Sequence, residues 1–253
     1  MNRLRRGLAP QAQTPALAPE GMRLYAIGDI HGRDDLLSDL LKAIVLDGKD
    51  GEVSQKVLIF LGDYVDRGLQ SKEVIDRLIA GPPDGFEAVY LKGNHEDALM
   101  HFLRDPAFGK TWKYYGGLET LHSYGITELT LSDDPQTFEI ARQRFEAALP
   151  TAHRAFLDGL QTSVSFGDYF FVHAGIRPGI PLERQSAEDL LWIREDFLYS
   201  DAIHEKMVVH GHTPSEQAVF RSNRIGIDTG AYMTNRLTCL VMEKDERRLI
   251  QNS

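Results

Sequence analysis

Five short polar loops in this chain each follow an apolar run, and they constrain the fold more than any other feature. In each loop a Gly or Ala stands beside an Asp, Asn or His, at residues 28–32, 62–68, 93–96, 173–175 and 210–213. Short apolar runs bounded in this way are typical of buried strands. Open α/β sheets hold ligands in loops at the carboxyl ends of such strands. A single Asp could instead cap a helix, but the fivefold repetition favours one shared site.

The first hundred residues alternate between predicted strands, loops and helices. Apolar runs predict strands at residues 22–27, 57–61 and 86–91. Amphipathic patterns predict a helix after each loop, with Asp34 and Ser71 as the N-caps of the first two. This alternation predicts a parallel sheet with right-handed crossovers.

The rest of the chain carries weaker signals. Gly167 and Asp168 separate two apolar runs, which predicts a β-hairpin. Further strands are predicted at residues 208–209, 225–228, 237–242 and 248–251, and helices at residues 135–149 and 151–160. We expect one catalytic domain, residues 22–253, in which a parallel half packs against a more antiparallel half. The aromatic residues of segment 111–125 could form a wall beside the site or part of the core.

Composition excludes several classes of protein. The formal net charge of −9 disfavours non-specific binding to nucleic acid. No apolar run approaches the roughly 20 residues of a membrane helix, so we expect no membrane span. The single cysteine, Cys239, excludes an internal disulfide and is consistent with the cytoplasm. Residues 1–21 lack periodicity and predict a disordered N-terminal arm.

The polar loops together offer a set of metal ligands without a thiolate: Asp29, His31, Asp63, Asn94, His173 and His212. Imidazole nitrogens mixed with carboxylate and amide oxygens suit manganese, with iron and zinc as alternatives. Six ligands exceed what one ion usually takes from protein while a position stays open. We therefore expect two divalent ions bridged by Asp63, which would clamp an oxyanion and activate water for in-line attack.

His95 is the expected general acid. It follows the ligand Asn94 directly, so its imidazole should lie beside the metals without binding them, where it could protonate a leaving alkoxide. Asp66 is the carboxylate expected to orient it. Arg67 and Arg194 are the expected phosphate-binding guanidiniums.

Three polar residues, His210, Arg177 and Asp228, have open roles on the sequence alone. His210 would share a strand face with His212 and could compete with it as a ligand. Arg177 could contact substrate or simply be solvated. Asp228 is expected to orient a neighbour or to cap a turn.

These motifs resemble those of the metallophosphoesterases, and within them of the PPP family of protein serine/threonine phosphatases. The similarity runs through all five loops in order and covers roughly residues 22–242. Residues 191–194 and 227–231 resemble the branch that contains the lambda phage protein phosphatase and its bacterial relatives.

The resemblance implies an α/β fold, a four-layer α-β-β-α sandwich with a dinuclear metal site at the carboxyl ends of the central strands. It also implies that Asp29, His31 and Asp63 hold one ion. Asp63, Asn94, His173 and His212 would hold the other. His95 with Asp66 would supply the acid, and Arg67 with Arg194 would bind phosphate.

The activity implied is hydrolysis of phosphoserine or phosphothreonine in proteins or phosphopeptides by a metal-bridging hydroxide. Symmetrical hydrolysis of diadenosine tetraphosphate and a preference for phosphotyrosine stay open. Symmetrical diadenosine hydrolases typically carry Ala in place of Asp66 and Asp in place of Glu96, which favours the protein phosphatase. The Ser-Ala-Pro-Asn-Tyr-Cys loop of eukaryotic members is missing, so no eukaryotic-type regulatory subunit is implied. A non-catalytic phosphate-binding protein is disfavoured, because every ligand position and His95 are present.

Overall fold

The structure, a computed structural model, describes residues 15–51, 53–127 and 134–252. Within these residues the first sheet has five strands in the order β10-β9-β1-β2-β3. The strands are β1 (Met22–Ile27), β2 (Gln55–Phe60), β3 (Glu87–Tyr90), β9 (Thr238–Glu243) and β10 (Glu246–Gln251). Strand β2 is parallel to both β1 and β3, which confirms the predicted pairing. The antiparallel strands β9 and β10 complete the sheet beside β1.

The second sheet has the strand order β4-β5-β6-β8-β7. Its strands are β4 (Ser163–Phe166), β5 (Tyr169–Val172), β6 (Met207–His210), β7 (Val219–Phe220) and β8 (Arg224–Gly226). The hairpin predicted at Gly167 and Asp168 is confirmed by the antiparallel pairing of β4 with β5. The expectation of an antiparallel half is wrong at its centre, because β6 is parallel to both β5 and β8. Parallel neighbours need a crossover, and residues 173–206 supply it between β5 and β6.

Helices cover the outer faces of both sheets. The helices of the first half are α1 (Asp34–Asp47), α2 (Ser71–Ile79), α3 (Asn94–Arg104), α4 (Gly109–Tyr114), α5 (Gly117–Ser123), α6 (Pro135–Ala148) and α7 (Thr151–Asp158). Those of the second half are α8 (Ala187–Trp192), α9 (Glu195–Leu198) and α10 (Ala231–Thr234). None of the helices in the described part of the chain combines the length and apolar character that a membrane span requires.

The alternation of side chains along the strands produces the predicted four layers. Leu24 and Ala26 of β1 point between the sheets, where they join Phe171, Val209 and Ile225 of the second sheet. Tyr25 and Ile27 point the other way, into the core beneath the first set of helices. A third cluster packs the outer face of the second sheet against α8 and α9. Because successive strand residues face opposite sides, one strand serves two cores at once.

Three local expectations differ from the structure. The predicted N-terminal arm ends earlier than residue 21: Ala18 is buried and its N–H donates to the Lys244 carbonyl at 2.8 Å, while residues 1–14 lie outside the described residues. Asp34 lies inside α1, where it binds Arg77 instead of capping the helix. Ser71 is the first residue of α2, and its hydroxyl accepts from the Asp66 N–H at 3.1 Å. In both helices a partner outside the helix, Arg77 or the Asp66 N–H, takes the side chain that local capping would use.

Candidate metal centre

The five polar loops meet at the carboxyl ends of β1, β2, β3, β5 and β6 and are joined mainly through the backbone. The Ile30 and His31 N–H groups donate to the Asp63 carbonyl at 3.0 and 2.8 Å. The His95 N–H donates to Asp63 Oδ1 at 3.0 Å. On the other side, the Gly211 N–H donates to the His173 carbonyl at 2.8 Å, and the His212 N–H donates to Asp29 Oδ2 at 3.0 Å. Loops far apart in sequence therefore form one rigid, buried cluster.

Two groups of potential ligand atoms share Asp63. The first consists of His31, Asp63 and His95, and the second of Asp63, His173 and His212; within each, the ligand atoms lie within 4.8 Å of one another. Asp63 Oδ2 lies 3.5 Å from His31 Nε2, and Asp63 Oδ1 lies 3.4 Å from His173 Nε2. The carboxylate predicted to bridge two ions thus faces both groups with different oxygens.

Asn94 and Asp29 complete the predicted set. Asn94 Oδ1 lies 2.7 Å from His212 Nδ1 and 2.8 Å from His173 Nε2. Asp29 is buried on the first loop, and burial together with the charges of Asp228 and Asp63 raises its pKa well above the usual range. Buried carboxylates that repel one another are stabilised when a cation lies between them.

The tautomers of two histidines show that this centre suits cations. His173 Nδ1 lies 2.9 Å from the Leu61 carbonyl, and His31 Nδ1 lies 3.0 Å from the Val65 carbonyl. Carbonyls only accept, so Nδ1 carries the proton in each ring and Nε2 presents a lone pair. Burial lowers the pKa of both imidazoles, which keeps them neutral. Each lone pair then faces another acceptor, Asn94 Oδ1 or Asp63 Oδ2, an arrangement that a divalent ion would satisfy.

Strained backbone is concentrated at the same place. Among the described residues, seven that are not glycine have positive φ, and five of them are predicted site residues: His31, Asp63, Asp66, Arg67 and His212. Such conformations are uncommon for residues with a Cβ and persist only where surrounding contacts impose them. Gly93 and Gly211 are needed for a related reason, because a Cβ there would collide with the Asp63 and Asp29 carboxylates respectively.

Glu96 organises the second and third loops, a role that the sequence did not reveal. Its side chain is fully buried and accepts from the N–H groups of Asp63 and Tyr64 at 2.9 and 2.8 Å, and from Gly93 at 2.9 Å. Burial and the charge of Asp63 raise the pKa of Glu96 to about 7. The Glu96 carboxyl group therefore fixes the backbone of the loop that carries Asp63 and joins it to the loop that begins at Gly93.

The predicted acid has the expected partner. His95 Nδ1 lies 2.8 Å from Asp66 Oδ2, and both side chains are buried. His95 Nε2 points towards the centre, 3.8 Å from Asp63 Oδ2 and 3.3 Å from Arg67 Nη2. Burial lowers the pKa of His95, but Asp63 and Asp66 outweigh it and hold that pKa above its usual value. The geometry leaves Nε2 as the nitrogen able to exchange a proton with a bound ligand.

The segment between α3 and α6 holds Asp66 in place. The Trp112 indole donates to Asp66 Oδ2 at 2.9 Å, and the Thr120 hydroxyl donates to Asp66 Oδ1 at 2.7 Å. Trp112 is only 1% exposed, so it is also a core residue. The two expectations for this segment, wall or core, both describe part of its role. No sequence signal links these residues to Asp66, which lies 46 and 54 positions away.

Trp112→Phe and Thr120→Val should each lower turnover of phosphate esters with poor leaving groups by about ten- to a hundredfold, because each removes a hydrogen bond to a buried charged acceptor. Turnover of p-nitrophenyl phosphate, whose leaving group needs little protonation, should change much less. The measurement is kcat for both substrates in each variant. Phe145→Leu, which alters the core beside Trp112 without touching Asp66, is the control. Equal losses on both substrates would contradict this role.

The three arginines considered in the sequence analysis each have defined contacts. Arg67 lies over the Tyr232 ring, with Cζ 4.6 Å from its centroid, and Arg194 is exposed with Nη1 3.2 Å from Thr213 Oγ1. Arg177 is engaged by Asp189 and Asp196, which favours a structural role over contact with substrate.

The last two open cases, His210 and Asp228, also have definite partners. His210 is buried against Phe197, and it belongs to neither group of ligand atoms found among the described residues. Asp228 accepts from the Gly230 N–H at 2.9 Å, as expected of a residue that caps a turn.

Comparison with known proteins agrees with this geometry. The chain matches the family described as calcineurin-like phosphoesterase over residues 22–239. Relatives from Anoxybacillus flavithermus and Bacillus subtilis, both named bis(5'-nucleosyl)-tetraphosphatase PrpE (asymmetrical), are each 29% identical to it. These matches cover 85% and 84% of this chain and 88% and 87% of the relatives. The solved structure of a candidate diadenosine tetraphosphatase has the same fold, with a TM-score of 0.58 and 20% identity over 95% of this chain and 99% of the other.

The family match spans all five loops and the two groups of ligand atoms that share Asp63. The chain therefore belongs to the calcineurin-like metallophosphoesterases, hydrolases that use a dinuclear divalent metal site.

Proposed function

We propose that this protein is a metal-dependent hydrolase of dinucleoside tetraphosphates that cleaves them asymmetrically. The observation that carries the substrate is the similarity, over most of both chains, to relatives named as asymmetrical bis(5'-nucleosyl)-tetraphosphatases. The sequence alone favoured a protein serine/threonine phosphatase and offered symmetrical hydrolysis as an alternative. The relatives support the nucleotide substrate and favour the asymmetrical products.

The proposed ligands combine members of the two groups that share Asp63 with Asn94 and with Asp29, which lies outside both groups. Asp29, His31 and Asp63 would hold one ion, and Asp63, Asn94, His173 and His212 would hold the other. Divalent ions, with manganese proposed and iron or zinc as alternatives, supply Lewis acidity that polarises the phosphoryl oxygens. His95 belongs geometrically to the first group, but its hydrogen bond to Asp66 supports a role in proton transfer.

The chain's own residues would bind the phosphates and move a proton. Arg67 and Arg194 lie at the centre and can hold phosphate oxygens by charge-assisted hydrogen bonds. His95 Nε2 would donate a proton to the oxygen that leaves phosphorus, while Asp66 holds Nδ1 and stabilises the charged imidazole. The pair therefore supplies the acid step for any leaving group that requires protonation.

A second candidate, hydrolysis of phosphoserine or phosphothreonine in proteins, rests on this same acid. A polyphosphate is a good leaving group and needs little protonation, whereas a serine or threonine alkoxide needs an acid of this kind. The presence of Asp66 where symmetrical diadenosine hydrolases typically carry Ala is the specific feature that favours this candidate.

The test compares substrates on manganese-loaded protein. Initial rates are measured with diadenosine tetraphosphate, a phosphoserine peptide and a phosphotyrosine peptide, and nucleotide products are separated. We expect the dinucleotide to give the highest kcat/KM, with AMP and ATP as products. Two molecules of ADP would indicate symmetrical cleavage, and faster turnover of either peptide would overturn the proposed substrate. Asp63→Asn protein, purified in parallel, controls for contaminating phosphatases.

A further inference from the structure

Two partly exposed aromatic rings stand at the edge of the metal centre. The ring centroids of Tyr115 and Trp192 lie 5.8 Å apart at an interplanar angle of 49°. Tyr115 is 5.9 Å from the His95 ring, and Trp192 is 6.4 Å from the His212 ring. The two rings come from opposite halves of the chain, one after α4 and the other at the end of α8.

Each ring is linked to one of the two arginines expected to bind phosphate, Tyr115 through a backbone hydrogen bond and Trp192 through the chain itself. Tyr115 precedes Gly116, whose carbonyl accepts from the Arg67 N–H at 3.1 Å. Trp192 is two residues before Arg194. A ligand whose phosphate lies between these arginines would therefore have its next chemical group beside Tyr115 and Trp192.

A third ring near the centre differs from these two. Tyr232 already packs against the Arg67 guanidinium and lies 5.4 Å from the His31 ring. Tyr115 and Trp192, like Tyr232, keep part of their surface in solvent, and their centroids lie 5.9 and 6.4 Å from those of the His95 and His212 rings. Partly exposed aromatic rings beside a buried polar centre suit a ligand that is flat and apolar at one end and anionic at the other.

We propose that Tyr115 and Trp192 form a stacking platform for a nucleobase of the substrate. This inference rests on the proposed function, because the platform would bind one particular part of the proposed dinucleotide substrate, its base. Stacking on aromatic side chains is tolerant of base identity, so the platform would accept different nucleosides.

The position of the platform also bears on the products. The platform borders His95 and His212, so a base stacked on it would be separated from the metal centre by its ribose alone. The first phosphate, which is attached to that ribose, would then lie at the metal centre. Water then forms a bond to that phosphorus, and the bond to the oxygen bridging to the second phosphate breaks. That oxygen takes the proton and leaves as a nucleoside triphosphate, while a nucleoside monophosphate remains. A base bound on this platform would therefore favour asymmetrical cleavage.

The test measures inhibition of p-nitrophenyl phosphate hydrolysis by AMP and by ribose 5-phosphate, which differ only in the base. For wild-type protein, AMP should bind about 5- to 100-fold more tightly than ribose 5-phosphate. In Trp192→Leu and Tyr115→Leu that ratio should fall towards one. Tyr199→Leu, which removes a ring that is 82% exposed on the segment after Trp192, should keep the wild-type ratio.

Each outcome separates the platform from the proposed function. A wild-type ratio near one, or a ratio unchanged in both variants, would overturn the platform even if diadenosine tetraphosphate were cleaved. A ratio lost only in the two variants would support the platform even if the dinucleotide were not a substrate. Phenyl phosphate is the third inhibitor: if it alone gained affinity from Trp192, an aryl phosphate would be the occupant and the nucleobase assignment would be wrong.

Discussion

Replacing Asp63 with Asn should lower turnover of every phosphate substrate by at least about 10³-fold, since the two ions contribute several kcal/mol to transition-state stabilisation. Asp63 is the residue common to both groups of ligand atoms. Burial alone would raise the pKa of Asp63, but the positive charge of the neighbouring His95 lowers it and favours the carboxylate. An Asn side chain has nearly the same shape as Asp and keeps an oxygen that can accept from the His95 backbone N–H. It lacks the negative charge that two bound ions would share.

The measurement for Asp63→Asn is kcat together with bound metal, so that loss of ions can be separated from misfolding by circular dichroism. Asp97→Asn is the matched control, because Asp97 follows the same loop but pairs with Lys92 away from the centre. We expect the control to keep its metal and activity. An Asp63→Asn protein that bound two ions and retained most of its activity would show that Asp63 does not bridge them.

The second large effect concerns the acid. His95→Asn should lower kcat for esters with poor leaving groups, such as phosphoserine, by about 10²- to 10⁴-fold. Asn can still occupy the space beside Asp66, but it cannot release a proton to the leaving oxygen. For p-nitrophenyl phosphate the loss should be far smaller, because nitrophenolate leaves without protonation. The slope of log kcat against leaving-group pKa should therefore become steeper in the variant.

His101→Asn is the control for this experiment. His101 lies on the same helix, α3, but is exposed and stacks on Phe108, with ring centroids 4.0 Å apart. Its replacement should leave the leaving-group dependence unchanged. If His95→Asn reduced both substrates equally, the imidazole would be acting as a ligand, consistent with its place in the first group of atoms, and the acid assignment would be wrong.

The sequence was most informative where a functional residue directly follows a predicted strand. Asp29, His31, Asp63 and Asn94 each follow a strand that the apolar pattern identifies, so their placement at one sheet edge follows from parallel pairing. The same reasoning found the hairpin at Gly167 and Asp168, since a tight turn is a local signal.

Contacts between distant segments could not be derived in this way. The indole of Trp112 reaches Asp66 across 46 residues, and nothing in the local pattern of either segment marks the pair. Ser71 looked like a helix cap, but its hydroxyl lies 3.0 Å from that of Thr120, 49 positions away. The pairing of β9 with β1 likewise depends on where the chain returns after the second sheet. In each case tertiary packing overrides a local preference, and a single sequence carries no record of it.

The most direct test of the dinuclear centre is a count of metal ions per chain in purified protein, by elemental analysis, before and after chelation. We expect two divalent ions per wild-type chain, loss of phosphoesterase activity when they are removed, and recovery when manganese is restored. A chain that carried one ion or none and still hydrolysed phosphate esters at an undiminished rate would contradict a centre built on Asp63.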